Sequence, residues 1–75
     1  MKVRYRGPSM GVDALTDGKI YECVGIEGAF LRIIDDSEED YLYDAKAPGL
    51  LDFNISGQWE IIEDDEQQSL SKIIV

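Results

Sequence analysis

The sequence has no histidine, a single cysteine and few basic side chains. Without histidine the chain cannot form Ser–His–Asp or Cys–His catalytic sites, or a metal site with imidazole ligands. The lone thiol, Cys23, cannot form a disulfide within the chain, and the N-terminal residues hold no apolar run typical of a signal peptide. We therefore predict a cytoplasmic protein that is not an enzyme and has no cofactor.

Long apolar runs are also missing. No stretch approaches the roughly eighteen apolar residues that cross a bilayer, so we expect no membrane association. A chain of 75 residues forms one domain and buries only about 60% of the surface that its unfolded form exposes. Because the core is then small, an exterior binding surface is easier to build than a deep catalytic cleft.

Basic residues are scarcest in the second half of the chain. Residues 1–32 carry five basic and four acidic side chains, whereas residues 33–75 carry two basic and twelve acidic ones. The acidic half repels the phosphates of nucleic acids and of acidic lipids. We predict no direct nucleic-acid binding and a protein partner with a basic or mixed surface, attracted by charge.

What the sequence does contain is a series of short segments that favour β-strands. These patterns predict strands at Lys2–Tyr5, Lys19–Val24, Phe30–Ile34, Tyr41–Tyr43 and Gln58–Ile62. We expect a long loop over residues 7–18, a hairpin turn at Gly25–Gly28 and an irregular segment over residues 45–57. Together these segments predict an all-β domain over residues 1–63 that forms a small five-stranded barrel. A tail that is first acidic and then apolar follows over residues 64–75.

Several side chains are expected inside this domain. Tyr5, Tyr21 and Trp59 are expected to line the core. Cys23 is expected to be buried as a small apolar residue. The long loop is expected to contain one helical turn over residues 13–15 and to cover three apolar side chains, Met10, Val12 and Leu15.

The tail is compatible with two conformations. Residues 63–68 are polar and should be solvated, whereas Leu70, Ile73 and Ile74 have helical spacing and the last three residues also favour a strand. Asp64 or Asp65 is suited to cap a helix here. In either conformation the apolar residues should dock, on the domain itself or on a neighbouring chain, so the oligomeric state stays open.

The segment DDSEED, residues 35–40, is the strongest candidate for a site. It does not fit a calcium loop: in the register that begins at Asp36, the sixth residue is Tyr41 instead of glycine and the twelfth is Ala47 instead of glutamate. We expect no metal site here, and we expect Glu38, Glu39 and Asp40 to be solvated. The side chains expected to hydrogen-bond their own backbone in this turn are Asp35, Asp36 and Ser37.

Three motifs resemble those of short uncharacterised proteins from Gram-positive bacteria and their phages. They are the segment Leu15–Val24, similar to L-T-x-G-K-x-Y-x-V, the run I-I-D-D at Ile33–Asp36, and the dipeptide W-E at residues 59–60. Many of these relatives have glycine after Asp-Asp-Ser, where this chain has Glu38. The resemblance implies a Src-homology-3-like (SH3-like) barrel and brings no catalytic residues.

Barrels of that kind bind extended proline-rich peptides on an aromatic shelf, and loop carboxylates pair with peptide arginines. By this analogy, the residues expected to contact a partner are Tyr41, Tyr43, Asp36, Glu38, Glu39 and Asp40. We therefore predict a non-enzymatic protein-interaction module with an acidic surface. The alternative is a phage-derived acidic inhibitor that mimics the charge of nucleic acid and occupies the DNA-binding site of another protein. A packing in which these tyrosines simply lie along their strands also stays open.

Overall fold

Five antiparallel strands and one short helix make up the part of the chain that the computed structural model describes, residues 1–7, 14–46, 48 and 57–74. The elements are β1 (Lys2–Arg6), β2 (Ile20–Glu27), β3 (Phe30–Ile34), β4 (Asp40–Asp44), β5 (Gln58–Glu63) and α1 (Ser69–Ile74). The strands form one sheet in the order β4-β3-β2-β1-β5, so β4 and β5 are its edges. The predicted all-β class and short C-terminal appendage are confirmed, but the sheet is not closed and the predicted barrel is not confirmed.

Successive side chains along each strand point to opposite faces of the sheet, and the side chains of one face form a core. In β1, Val3 and Tyr5 are fully buried while their neighbours are exposed or half-buried, as expected for a strand with one solvated face. The apolar residues buried together in this core are Val3, Tyr5, Leu15, Tyr21, Cys23, Leu31, Ile33, Ala45, Trp59 and Leu70. The burial predicted for Tyr5, Tyr21, Trp59 and Cys23 is therefore confirmed.

Trp59 is the centre of this core. The rings of Tyr5, Tyr21 and Tyr43 meet it edge-on, with centroids 5.7, 6.4 and 6.2 Å away. Edge-to-face pairs of this kind are favourable beyond the apolar area that they bury. Trp59 also brings the two edge strands together at one corner, because its indole Nε1 donates to the carbonyl oxygen of Asp44 at 3.2 Å.

The β2–β3 hairpin differs from the prediction at its turn. β2 continues to Glu27, and its register with β3 shifts between Cys23 and Gly25, where a bulge adds one residue. The turn is the two-residue loop 28–29, and Gly28 has a φ of +62°, which suits the first position of a Gly-X hairpin turn. The predicted turn at Gly25–Gly28 is therefore wrong, since Gly25 lies in the bulge.

The second half of the long loop is fixed against β1. The amide of Gly18 donates to the carbonyl oxygen of Tyr5 at 2.7 Å, and the amide of Tyr5 donates to the carbonyl oxygen of Lys19 at 3.0 Å. Leu15 is fully buried, as predicted. Met10, Val12 and the start of the expected helical turn lie outside the described residues.

The tail forms the helix α1 and docks on its own domain, which settles the choice between helix and strand. Leu70 is fully buried, and Ile73 and Ile74 pack against the core. Asp65 accepts hydrogen bonds from the amide and hydroxyl of Ser69. Asp64 accepts hydrogen bonds from the amides of Leu70 and Ser71. The predictions of aspartate capping and of docking are confirmed. Among the described residues, no helix is both long and apolar enough to cross a bilayer.

The helix cap at Asp64 should make the stability of the fold depend on pH in acid. Desolvation alone raises the pKa of Asp64, but hydrogen bonds from the Leu70 and Ser71 amides and the Ser71 hydroxyl outweigh it and lower the pKa from 3.8 to about 2. A carboxylate whose pKa is lower in the folded state stabilises the fold above its unfolded pKa and loses that effect as the pH falls. We expect the melting temperature of the wild type to fall more steeply between pH 4 and pH 2 than that of Asp64→Asn.

The matched control for this experiment is Glu66→Gln, at an exposed position in the same connection. It should keep the wild-type pH slope. Identical slopes for the wild type and Asp64→Asn would show that the cap does not govern the acid response.

Candidate protein-binding groove

The connection between β3 and β4, residues 35–39, is built around Asp35. One carboxylate oxygen of Asp35 accepts hydrogen bonds from the amide and the hydroxyl of Ser37, and the amide of Glu38 donates to the Asp35 carbonyl oxygen at 2.9 Å. The predicted local bonding is confirmed for Asp35, and for Ser37, whose hydroxyl oxygen accepts a hydrogen bond from the amide of Glu39 at 3.3 Å. Glu38 has a φ of +67°, a left-handed conformation that costs a non-glycine residue roughly 1–2 kcal/mol.

Asp35 also anchors this turn to the sheet. It is 6% exposed, and its second carboxylate oxygen accepts a hydrogen bond from the Tyr43 hydroxyl at 2.7 Å. Burial, and then the hydrogen bond to Asp35, raise the pKa of Tyr43 far above its ordinary value. Tyr43 is half-buried, with its ring against Trp59. Its side chain thus connects the turn to the core.

Asp36 has a different role from the one predicted. Its carboxylate accepts hydrogen bonds from Lys19 Nζ at 2.6 Å, Thr16 Oγ1 at 2.8 Å and the Tyr21 hydroxyl at 3.0 Å. Partial burial alone raises the pKa of Asp36, but these three hydrogen bonds outweigh it and leave the pKa below its ordinary value. The expectation that Asp36 bonds its own backbone is wrong, because its partners come from the end of the long loop and from the start of β2.

The remaining side chains of the turn line an open groove of about 470 Å³. Its lining residues are Val24, Ile34, Glu38, Glu39, Asp40 and Tyr41. Val24 is 51% exposed and Tyr41 is 50% exposed, so the groove presents apolar surface to solvent. The Tyr41 hydroxyl donates to Glu39 at 3.0 Å, which raises the pKa of Tyr41 and holds its ring beside the carboxylates.

One arginine lies next to the groove. Nη1 of Arg32 forms an ion pair with Asp40 at 3.0 Å, and the same guanidinium also pairs with Glu27. Ion pairs this exposed contribute little to stability and weaken with salt. They orient Asp40 without removing the acidic character of the groove, since Glu38 and Glu39 are exposed as well.

The groove has the features of a contact surface. Its lining combines apolar side chains with three carboxylates, which can bind an apolar and a basic group of the same ligand. The described residues contain no group of three or more His, Cys, Asp or Glu side chains placed to hold a metal ion. The thiol of Cys23 is buried, and this burial raises its pKa, so the thiolate is disfavoured.

The structure divides the six residues predicted to contact a partner. Glu38, Glu39, Asp40 and Tyr41 lie together at the groove. Asp36 and Tyr43 are engaged in the internal hydrogen bonds described above. The sequence reasoning missed two residues of the groove, Val24 on β2 and Ile34 on β3. An available signal was that each of them follows another apolar residue, Cys23 or Ile33, because alternation along a strand cannot bury both members of such a pair.

No protein-family model, curated protein or solved structure gives a significant match to the chain.

Proposed function

We propose that this protein is a non-enzymatic protein-interaction module that binds a basic or mixed protein segment in the acidic groove. One observation carries the proposal: the exposed side chains of Val24 and Tyr41 line the same groove as the carboxylates of Glu38, Glu39 and Asp40. Apolar contact supplies affinity, while the carboxylates attract a basic partner and select against acidic ones.

The alternative of an inhibitor that mimics nucleic-acid charge has less support. Such a mimic presents carboxylates to a basic surface in place of phosphates. Here Asp36, Asp40 and Glu60 already pair with lysine or arginine side chains of the same chain. The groove also exposes apolar side chains, which a phosphate mimic does not require.

We also propose that the sheet bends into a Src-homology-3-like barrel and that the protein works in the cytoplasm. The barrel is supported by the corner at which the Trp59 indole reaches the carbonyl oxygen of Asp44 on the opposite edge strand. Backbone hydrogen bonds between β4 and β5 in an experimental structure would establish closure. The cytoplasmic assignment is supported by the free, buried thiol of Cys23.

Affinity capture with mass spectrometry tests the binding function. The double variant Glu38→Gln with Glu39→Gln removes two groove charges, and we expect it to retain about tenfold less of the principal partner than the wild type. Retention by the wild type should also fall as salt is raised, because exposed charges are screened.

The control variant is Glu63→Gln with Glu66→Gln, which makes the same change in net charge at exposed positions away from the groove. It should retain the partner as the wild type does. Equal retention by the groove variant and the wild type, or retention unaffected by salt, would refute the proposed site.

A further inference from the structure

One face of the strands β2, β3 and β4 points away from the core. Leu31 and Ile33 of β3 are fully buried. Alternation along the strand therefore places its other three residues on the opposite, outer face: Phe30, Arg32 and Ile34. Residues directly paired across neighbouring strands share a face, which adds the partners of these three on β4: Asp40, Leu42 and Asp44.

Four apolar side chains on this outer face form what we call the apolar patch: Val24, Phe30, Ile34 and Leu42. Leu42 lies diagonally across from both Phe30 and Ile34 in the register of β3 and β4. Leu42 is 45% exposed and Phe30 is 43% exposed. Val24 and Ile34 also line the groove, so the patch and the groove are continuous. Contiguous exposed apolar surface marks interaction sites, whereas scattered single side chains do not.

Arg32 lies at the centre of the apolar patch, directly opposite Leu42. Its guanidinium pairs with Glu27 from β2 and with Asp40 from β4, and these contacts orient it across the face. On its other side Arg32 is opposite Gly25, where an added Cβ would meet nothing within 4 Å. The outer face is therefore open beside Arg32.

The charges of these three strands favour a basic occupant. β2, β3 and β4 contain one basic residue, Arg32, and four acidic residues, and the register places all five on the outer face. The acidic residues are Glu22, Glu27, Asp40 and Asp44. A second copy of the chain would bring the same excess of carboxylates against this face, which is unfavourable. Lysine or arginine side chains beside an apolar stripe are complementary to it.

The backbone of the apolar patch favours a helix as the occupant. β3 is hydrogen-bonded to β2 on one side and to β4 on the other, so the face presents side chains and not unpaired backbone groups. A segment that lies on this face must satisfy its own backbone N–H and C=O groups, as a helix does. Three strands span roughly 10 Å, which is close to the diameter of a helix, about 10–12 Å.

We propose that the apolar patch receives an amphipathic helix of the partner, with apolar residues on one side and lysine or arginine residues flanking them. This inference rests on the proposed function and specifies which segment of the partner binds. The apolar side of the helix packs on Phe30 and Leu42. Its basic side chains reach the carboxylates around the patch and in the adjoining groove.

Calorimetry with the full chain and synthetic peptides tests the shape and the charge of the occupant. The probe, acetyl-LKKLLKKLLKLLKK-amide, has its leucines on one side of a helix. The control, acetyl-LKLKLKLKLKLKLK-amide, has the same composition, but its leucines share one side only in a strand. We expect the helical probe to bind at least about tenfold more tightly than the control. Glutamate in place of its lysines should weaken binding by at least about tenfold.

A matched pair of protein variants locates the binding site of the helical probe. Leu42→Ser should weaken binding by about tenfold, because it removes an apolar side chain from the middle of the contact. Ile62→Ser is the control, since Leu42 and Ile62 are isomeric side chains on the two edge strands and are 45% and 40% exposed. It should change the affinity by less than about threefold. The melting temperatures of the two variants should agree, because both side chains are exposed.

Each other result overturns part or all of the inference. No binding of the helical probe, or equal weakening by the two substitutions, overturns the patch as the site. Binding of the control peptide as tightly as the helical probe overturns the helix, and equal binding of the glutamate peptide overturns the charge complementarity. A melting temperature clearly lower for Leu42→Ser than for Ile62→Ser would show that the chain itself covers the patch.

Sedimentation of the free chain tests the remaining occupant. We expect the same molecular mass for the wild type and Leu42→Ser. A wild-type dimer that becomes a monomer on this substitution would show that a second copy covers the patch and would overturn the inference. The capture experiment with the groove variant decides the proposed function separately, because that variant keeps Leu42 and Phe30.

Discussion

Gly57→Ala should lower the free energy of unfolding by about 3 kcal/mol or more, combining backbone strain with overpacking of a buried ring. Gly57 lies immediately before β5 and has a φ of +60°. A Cβ atom at this position would lie 2.7 Å from Cε1 of Tyr5, which is fully buried. Because the Tyr5 ring packs edge-on against Trp59, it cannot move without disturbing the core.

Gly28→Ala is the matched control, since Gly28 has nearly the same φ, +62°, and a Cβ there would meet nothing within 4 Å. This variant should lower the free energy of unfolding by only about 1 kcal/mol, the cost of holding a non-glycine residue in this backbone conformation. Thermal denaturation of the two variants checks the difference, and we expect Gly57→Ala to melt roughly 10 °C or more below Gly28→Ala. Equal melting temperatures would contradict the close approach of Tyr5 to Gly57.

Leu70→Ala should destabilise the domain by about 2–5 kcal/mol, because it removes apolar contacts and leaves a cavity where α1 meets the sheet. Leu70 is fully buried in the same core as the residues of the sheet. In a chain of 75 residues this is a large part of the total stability. Urea denaturation measures the loss.

Lys72→Ala tests the same helix at an exposed position and should change stability by less than about 0.5 kcal/mol. If Leu70→Ala were as mild as Lys72→Ala, the helix would not be docked in solution. A concentration-dependent effect of Leu70→Ala would instead indicate that the tail docks on a second chain.

Local patterns predicted the strands of this fold well. The strands predicted at Lys2–Tyr5 and Phe30–Ile34 are confirmed, and burial in each has a period of two because one face of the strand packs into the core. The same reasoning failed at Gly25, because a glycine in a bulge and a glycine in a turn look alike in a sequence. The two readings differ only in the pairing with β3, which a local pattern does not contain.

The polar residues show the same limit. Asp35 was predicted correctly because its partner, Ser37, is two residues away. Asp36 was not, because its partners, Thr16, Lys19 and Tyr21, are fifteen to twenty residues away along the chain and approach it only in the folded domain.

Only the part of the candidate site that is continuous in sequence could be predicted. The segment Glu38–Tyr41 is continuous in sequence, so its clustering was visible before the fold. Val24 and Ile34 come from two other strands and reach the groove through the sheet. The capping aspartates of α1 could be recognised locally, whereas the surface that receives Leu70 could not.

We propose that this protein meets its partner in the groove. A map of amide chemical-shift changes in the isotope-labelled chain, titrated with the partner isolated by affinity capture, tests this proposal most directly. We expect the largest changes at residues 38–41, Val24 and Ile34, and we expect these changes to shrink as salt is raised. Largest changes at α1 or on β5, with residues 38–41 unaffected, would rule out the groove as the binding site.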